Sequence, residues 1–199
     1  VDFCFCRMPR PLVATYSRLA AVLQPTAKVR RAVNATLKAL PEKFVGIHWR
    51  LPGPKTPHWA RGALLEKTSP IETYVDALRS FCGPGAQQCE HMFFAAQAHE
   101  PGASEEVHKR HALKELTSAF GKKAILWREF SPDLSSEQHA LVDLLVLKEA
   151  TQLVLTELAD FSDLAYVLGG GKADVLVPTL ARSRHLPGSG ESCVSRHDA

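Results

Sequence analysis

Three features of this sequence predict an α/β domain, a Rossmann-like three-layer sandwich with a parallel sheet at its centre. Short apolar runs of strand length alternate with longer stretches whose apolar residues recur at helical spacing. Capping and turn residues separate them: Pro25-Thr26, Ser69-Pro70, Ser135-Ser136 and Gly169-Gly170-Gly171. One run, Phe44-Val45-Gly46-Ile47-His48-Trp49-Arg50, carries a His and an Arg out of its C-terminal end, the end at which open α/β sheets bind ligands. Strands that alternate with helices are joined by crossovers, and crossovers give parallel pairing.

Each element has its own local reason. Apolar residues in 16–40 keep helical spacing but are interrupted at Pro25, so a second helix starts near Thr26 and runs to Leu40. The first strand covers 44–49. Residues 51–67 hold prolines and glycines with few apolar anchors, which reads as a long loop leaving the end of that strand. Ser69 as N-cap with Pro70 at the first helical position opens a helix over 71–81. A short apolar strand is expected at 91–96. A charged helix over 104–120 is stopped by Gly121, and a third strand follows at 124–127. Ser135 or Ser136 caps a helix over 137–150. A fourth strand at 153–156 and a short helix at 161–168 come next, and 174–177 reads as a fifth strand at the sheet edge.

The 199 residues suffice for one good-sized core or two small ones. One Rossmann-like domain over 16–180 is expected, after an N-terminal extension (1–15) and before a polar, Gly- and Ser-containing tail (181–199) that reads as disordered. A formal net charge of +3, with Lys and Arg dispersed, argues against a nucleic-acid partner. No apolar stretch is long enough to cross a bilayer. With no initiator Met, the chain reads as a fragment or a processed product. Five cysteines lack paired zinc spacing, which points away from a structural metal. Cys82 and Cys89 flank Gly83-Pro84-Gly85; they suit either a small disulfide in an oxidising compartment or two thiols beside a turn.

Several constellations dissolve on inspection. The glycines at 169–171 follow a helix, whereas phosphate-loop glycines lie between a strand and the helix it feeds, so they read as a helix C-cap and turn. His108 and His111 share a helix face near His99 without further ligands at metal spacing, which fits a solvated face. There is no G-x-S-x-G elbow for a hydrolytic serine and no Asp-x-Asp pair after a strand.

Five other positions stand out. His48 and Arg50 alternate along the first strand and share a face; Arg50 suits a bidentate phosphate contact, or simply a strand that ends at the surface. Asp143 sits in Ala140-Leu141-Val142-Asp143-Leu144-Leu145-Val146-Leu147. A carboxylate there needs a partner, a ligand donor or an edge position. Thr156 and Ser162 flank a strand–helix junction, where hydroxyls and free helix N–H groups hold an anion or cap the helix.

In order, these residues resemble the C-terminal half of fucosyltransferases: the α-1,6-, nodulation and protein O-fucosyltransferase types. The resemblance covers 16–168. It rests on Val45-Gly46-Ile47-His48-Trp49-Arg50, Ile71-Glu72-Thr73-Tyr74-Val75 and Met92-Phe93-Phe94-Ala95. The block from Leu141-Val142-Asp143-Leu144 to Phe161-Ser162-Asp163-Leu164-Ala165-Tyr166 completes it.

The resemblance implies the GT-B architecture, with GDP-fucose bound by this half and fucose passed with inversion to a glycan or protein hydroxyl. Arg50 would be catalytic and contact the diphosphate, with His48 and Asp143 near guanine or ribose and Thr156 and Ser162 at a phosphate-binding helix start. It implies no cofactor and no metal, a glycan or glycoprotein acceptor, and work in the Golgi or ER lumen, with any membrane anchor upstream. A Cys82–Cys89 disulfide suits that compartment.

The chain departs from the pattern at Gln97, where an Asp is common, and at Leu158 and Ala159, where serines are usual. After Arg50 comes Leu51-Pro52-Gly53-Pro54 rather than a polar continuation, and too few residues precede Phe44 for a second Rossmann domain. Gln97, Leu158 and Ala159 favour the alternative of a non-catalytic sugar-nucleotide or glycan-binding module on the same scaffold.

Overall fold

The computed structural model describes residues 14–15, 18, 24–50, 70–83, 89–97, 103–127, 131–156, 160–178 and 184–186, with the side chains of 97, 103–106, 160 and 184–186 left aside. The expectations for Cys4, Cys6, His99, Leu158, Ala159, Cys193 and the 51–67 loop fall outside the described residues.

The chain runs α1 (Ala27–Lys38), β1 (Val45–Arg50), α2 (Ile71–Cys82), β2 (Met92–Gln97) and α3 (Ala103–Phe120). A single 3-10 turn, Lys122–Ala124, leads into β3 (Ile125–Trp127), then α4 (Ser136–Leu147), β4 (Gln152–Val154), α5 (Asp160–Leu168), β5 (Asp174–Val177) and β6 (Arg184–Leu186). The strands form one sheet in the order β3-β2-β1-β4-β5-β6. The first five are parallel; β6 pairs antiparallel with β5. This is the Rossmann-like α/β fold.

The pleat divides the core in two. Val45, Ile47 and Trp49 of β1, Met92 and Phe94 of β2, Val154 of β4 and Leu176 of β5 join the apolar faces of α2 and α3. The alternate residues Phe93, Ala95, Leu153, Leu155 and Val175 pack with α1, α4 and α5 on the other side. Period-two alternation therefore feeds two helical layers, and a central strand buried on both faces reads as the nearly unbroken apolar run seen in β1.

Helix ends follow the capping residues. Thr26 accepts a hydrogen bond from the Val29 amide at the start of α1. Ser135 and Gln138 form a reciprocal capping box on α4. The hydroxyl of Ser135 also donates to Glu137, and that bond holds the Glu137 carboxyl below its ordinary pKa. At α2, Pro70 is itself the cap residue and Ile71 opens the helix, one position later than expected. Pro70 φ is −56° with ψ at 135°, an extended backbone that has not yet entered the helix.

The glycines after α5 close it in a Schellman motif: Gly171 N–H donates to Tyr166 O and Gly170 N–H to Val167 O. Gly170, at φ 74°, supplies the left-handed residue that the motif needs.

Other features differ from the sequence reading. Helix α4 ends at Leu147 rather than Ala150, and β4 ends at Val154, leaving Thr156 beyond it. Strand β5 is not the edge, because β6 arises within the stretch read as a disordered tail. Three residues, Arg-His-Leu, show no alternation; the open backbone edge of β5 is what recruits them.

Cys82, at the end of α2, is joined by a disulfide to Cys89, just ahead of β2, and both are buried. The spacing left this open; the structure brings the two Cα atoms to 5.5 Å. Closing so short a loop restricts the unfolded chain and contributes about 2–3 kcal/mol in the chain-entropy model. The double substitution Cys82→Ala/Cys89→Ala should lower stability by that amount in urea unfolding. A midpoint equal to that of the oxidised native chain would contradict this.

Candidate functional site

Strand order reverses between β1 and β4, since β1 leads outward to β2 and β3 on one side and β4 leads to β5 on the other. In open α/β sheets such a reversal opens a crevice at the carboxyl ends of the two strands. The backbone ladder between them runs through Val45↔Gln152, Gly46↔Leu153 and Ile47↔Val154 and then stops. Beyond it, His48, Trp49 and Arg50 pair only with β2.

Thr156 takes over where the ladder ends. Its hydroxyl donates to His48 O at 2.9 Å and accepts from Arg50 N–H at 3.0 Å. These two groups flank Trp49, and a continued β4 would have bonded them with its own backbone. The same hydroxyl accepts from the phenol of Tyr74, on α2, at 2.7 Å. One donor and two acceptor positions are thereby used, which is the full capacity of a hydroxyl.

The amide of Thr156 turns to Ser162 instead, bonding its Oγ at 3.2 Å. Ser162 Oγ also lies 2.6 Å from His48 Nδ1, with the tautomer deciding which of the two donates. The imidazole stacks obliquely on Phe161, ring centres 4.7 Å apart. His48, Thr156, Ser162 and Tyr74 are all buried. A buried polar group without partners costs about 1–3 kcal/mol; these bonds remove that cost for the three hydroxyls and for His48 Nδ1, and they fix the geometry.

His48, Arg50, Thr156 and Ser162, four of the five residues singled out, thus come together at the strand-order reversal. Arg50 is half-buried, and its Nε is shielded from solvent, as is His48 Nε2. Asp143 lies in the middle of α4 and is half-buried. Gln97 is the last residue of β2 and stands in register with Arg50.

Two participants escaped the sequence reading: Tyr74 and the ring of Phe161. In Ile71-Glu72-Thr73-Tyr74-Val75, Tyr74 looks like another apolar residue on the buried face of α2. The available signal was chemical, because a buried Tyr hydroxyl finds a partner.

Because Ser162 bonds both Thr156 and His48, the first turn of α5 lies against the ends of β1 and β4. The free N–H groups of such a turn favour anions. The hydroxyls of Thr156 and Ser162 are engaged within the protein, so they shape this edge and fix the groups around it. His108 and His111 are exposed on α3, with His111 Nε2 3.5 Å from Glu72 Oε1. Among the described residues no group of three or more His, Cys, Asp or Glu is placed to hold a metal ion, and no helix is long and apolar enough to cross a membrane.

No known family model matches the chain, and no curated protein matches it. The class that fold and site define is therefore a Rossmann-like domain with a buried hydroxyl–imidazole network and an Arg at its switch point.

Proposed function

We propose that this chain is the nucleotide-sugar-binding half of a GT-B glycosyltransferase of fucosyltransferase type. It takes GDP-fucose at the β1/β4 crevice and transfers fucose to a hydroxyl of a glycan or protein. The observation that carries this reading is the position of His48 and Arg50. The two residues at the heart of the fucosyltransferase-like motif stand where strand order reverses.

The chemistry needs little else from this half. When the bond between fucose C1 and the β-phosphate oxygen breaks, the electron pair leaves with GDP and negative charge grows on the diphosphate. The Arg50 guanidinium, held at its backbone by Thr156, meets that charge with a two-pronged donor, and no metal is required. The N-terminal turn of α5 adds favourable potential on the same side. The acceptor hydroxyl oxygen bonds to C1 from the opposite face of the sugar, which inverts the anomeric carbon, and its proton passes to water or to the departing GDP. Asp143 is assigned to the nucleoside, while His48, buried against Ser162 and Phe161, holds the end of β1 in place. The Cys82–Cys89 disulfide supports an oxidising compartment, the Golgi or ER lumen.

Incubation with GDP-fucose and a panel of glycan and peptide acceptors tests this reading. Release of GDP together with fucosylated product is the expected result. Binding of GDP-fucose with no product from any acceptor would move the assignment to a non-catalytic sugar-nucleotide-binding module. Neither binding nor product would overturn it.

A further inference from the structure

We infer that Tyr74 is a positioning residue for the anion site, acting across the sheet through Thr156 on the backbone of Arg50. The inference rests on the nucleotide-binding reading above for its consequence, though not for its geometry. Tyr74 belongs to α2 and to the core layer that α2 and α3 share. His48, by contrast, stacks on Phe161 of α5, on the other side of the sheet. The Tyr74 phenol reaches the end of the sheet and donates to Thr156 Oγ1 at 2.7 Å. That oxygen in turn holds Arg50 N–H at 3.0 Å and His48 O at 2.9 Å.

The link has a physical purpose. Past Ile47 the ladder between β1 and β4 is finished, and on that side the Thr156 hydroxyl bonds the backbone of both His48 and Arg50. A threonine hydroxyl rotates freely unless its bonds fix it. With Tyr74 donating, the Thr156 proton is directed to His48 O and a lone pair to Arg50 N–H. Without the phenol, the hydroxyl keeps both backbone partners but loses the donor that orients it. Arg50 would then sample more positions, and an anion would bind a less organised guanidinium.

Tyr74→Phe removes the phenolic oxygen and leaves the ring, so packing in the α2 layer is retained. The experiment measures three quantities on the full chain: amide hydrogen exchange at Arg50 and Ile47, the GDP dissociation constant by calorimetry, and the thermal midpoint. Exchange at Arg50 is expected to speed up about tenfold with Ile47 unchanged, and GDP to bind about fivefold more weakly. Thr156→Ser should preserve both properties and Thr156→Val should lose them. Tyr74→Phe added to Thr156→Val should then cost nothing more in GDP affinity.

Unchanged Arg50 exchange, unchanged GDP affinity, or additive losses in the double variant would each overturn the inference. A midpoint that falls while exchange rises equally at Ile47 and Arg50 would overturn it too, since that describes general loosening. Failure of the native chain to bind GDP would instead remove the functional reading, and the exchange comparison would still decide whether Tyr74 holds Arg50.

Discussion

Arg50→Ala is expected to weaken GDP binding by about 100-fold or more and to abolish transfer, while the thermal midpoint stays within a few degrees of the native value. Two charge-assisted hydrogen bonds to a phosphate contribute about 1.5–3 kcal/mol each, and each 1.4 kcal/mol is tenfold in affinity. The fold should tolerate the change because the Arg50 side chain is only half-buried at a strand end, and its backbone bond to Thr156 survives. Arg50→Lys separates charge from geometry. An ammonium keeps the attraction but not the planar fork, so roughly a tenfold loss is expected. Calorimetry with GDP on the three proteins checks the order. Native affinity in Arg50→Ala would show that the guanidinium does not face the nucleotide.

Gly46→Val is expected to lower stability. A Cβ at Gly46 would lie 2.9 Å from Leu147 Cδ2 and 3.0 Å from both Ala150 Cβ and Leu153 Cδ2. The two leucine methyls can rotate away at modest cost. Ala150 Cβ sits directly on the backbone just after α4 and cannot. A glycine in β1 is therefore what lets the end of α4 rest on the sheet.

Two effects oppose each other on substitution. A β-branched residue gains strand propensity, up to about 1 kcal/mol. Overpacking costs about 1–3 kcal/mol even for extra methylenes, and valine introduces a whole branched side chain into a filled site. The second effect wins, and a net loss of about 1–3 kcal/mol should lower the thermal midpoint by about 2–12 °C at roughly 2–4 °C per kcal/mol. Gly46→Ala should fall less. An unchanged or raised midpoint in the valine variant would mean that α4 is not seated against β1.

Element type was legible in this sequence because local signals agreed with the packing. Ser135 with Gln138, Thr26, Pro70 and the glycines after Leu168 mark helix ends by chemistry that acts within a few residues. The apolar runs of β1 and β2 are long enough to identify strands. Strand order was not legible: nothing local says that β4 lies beside β1 rather than β3, and that neighbour relation is what puts the strand-order reversal at the ends of these two strands.

The site residues divide in the same way. His48 and Arg50 stood out because a polar pair ends an apolar run. Thr156 stood out as a hydroxyl at a junction, yet its substitution for a missing ladder depended on β4 stopping at Val154. Tyr74 was invisible because its ring obeys the apolar pattern of α2 and only its oxygen departs from it. Cys82 and Cys89 left two alternatives open, since sequence spacing does not set the distance across a turn. β6 gave no pattern to read, because a three-residue edge strand is recruited by its neighbour rather than by its own composition.

The account is tested most directly by calorimetric titration of the 199-residue chain with GDP, GMP and guanosine at two salt concentrations. If the diphosphate is gripped by Arg50 at the end of β1, GDP binds about tenfold or more tightly than GMP, guanosine binds weakest, and added salt narrows the gaps. Equal affinities for the three ligands, or no binding of GDP at millimolar concentration, would contradict it.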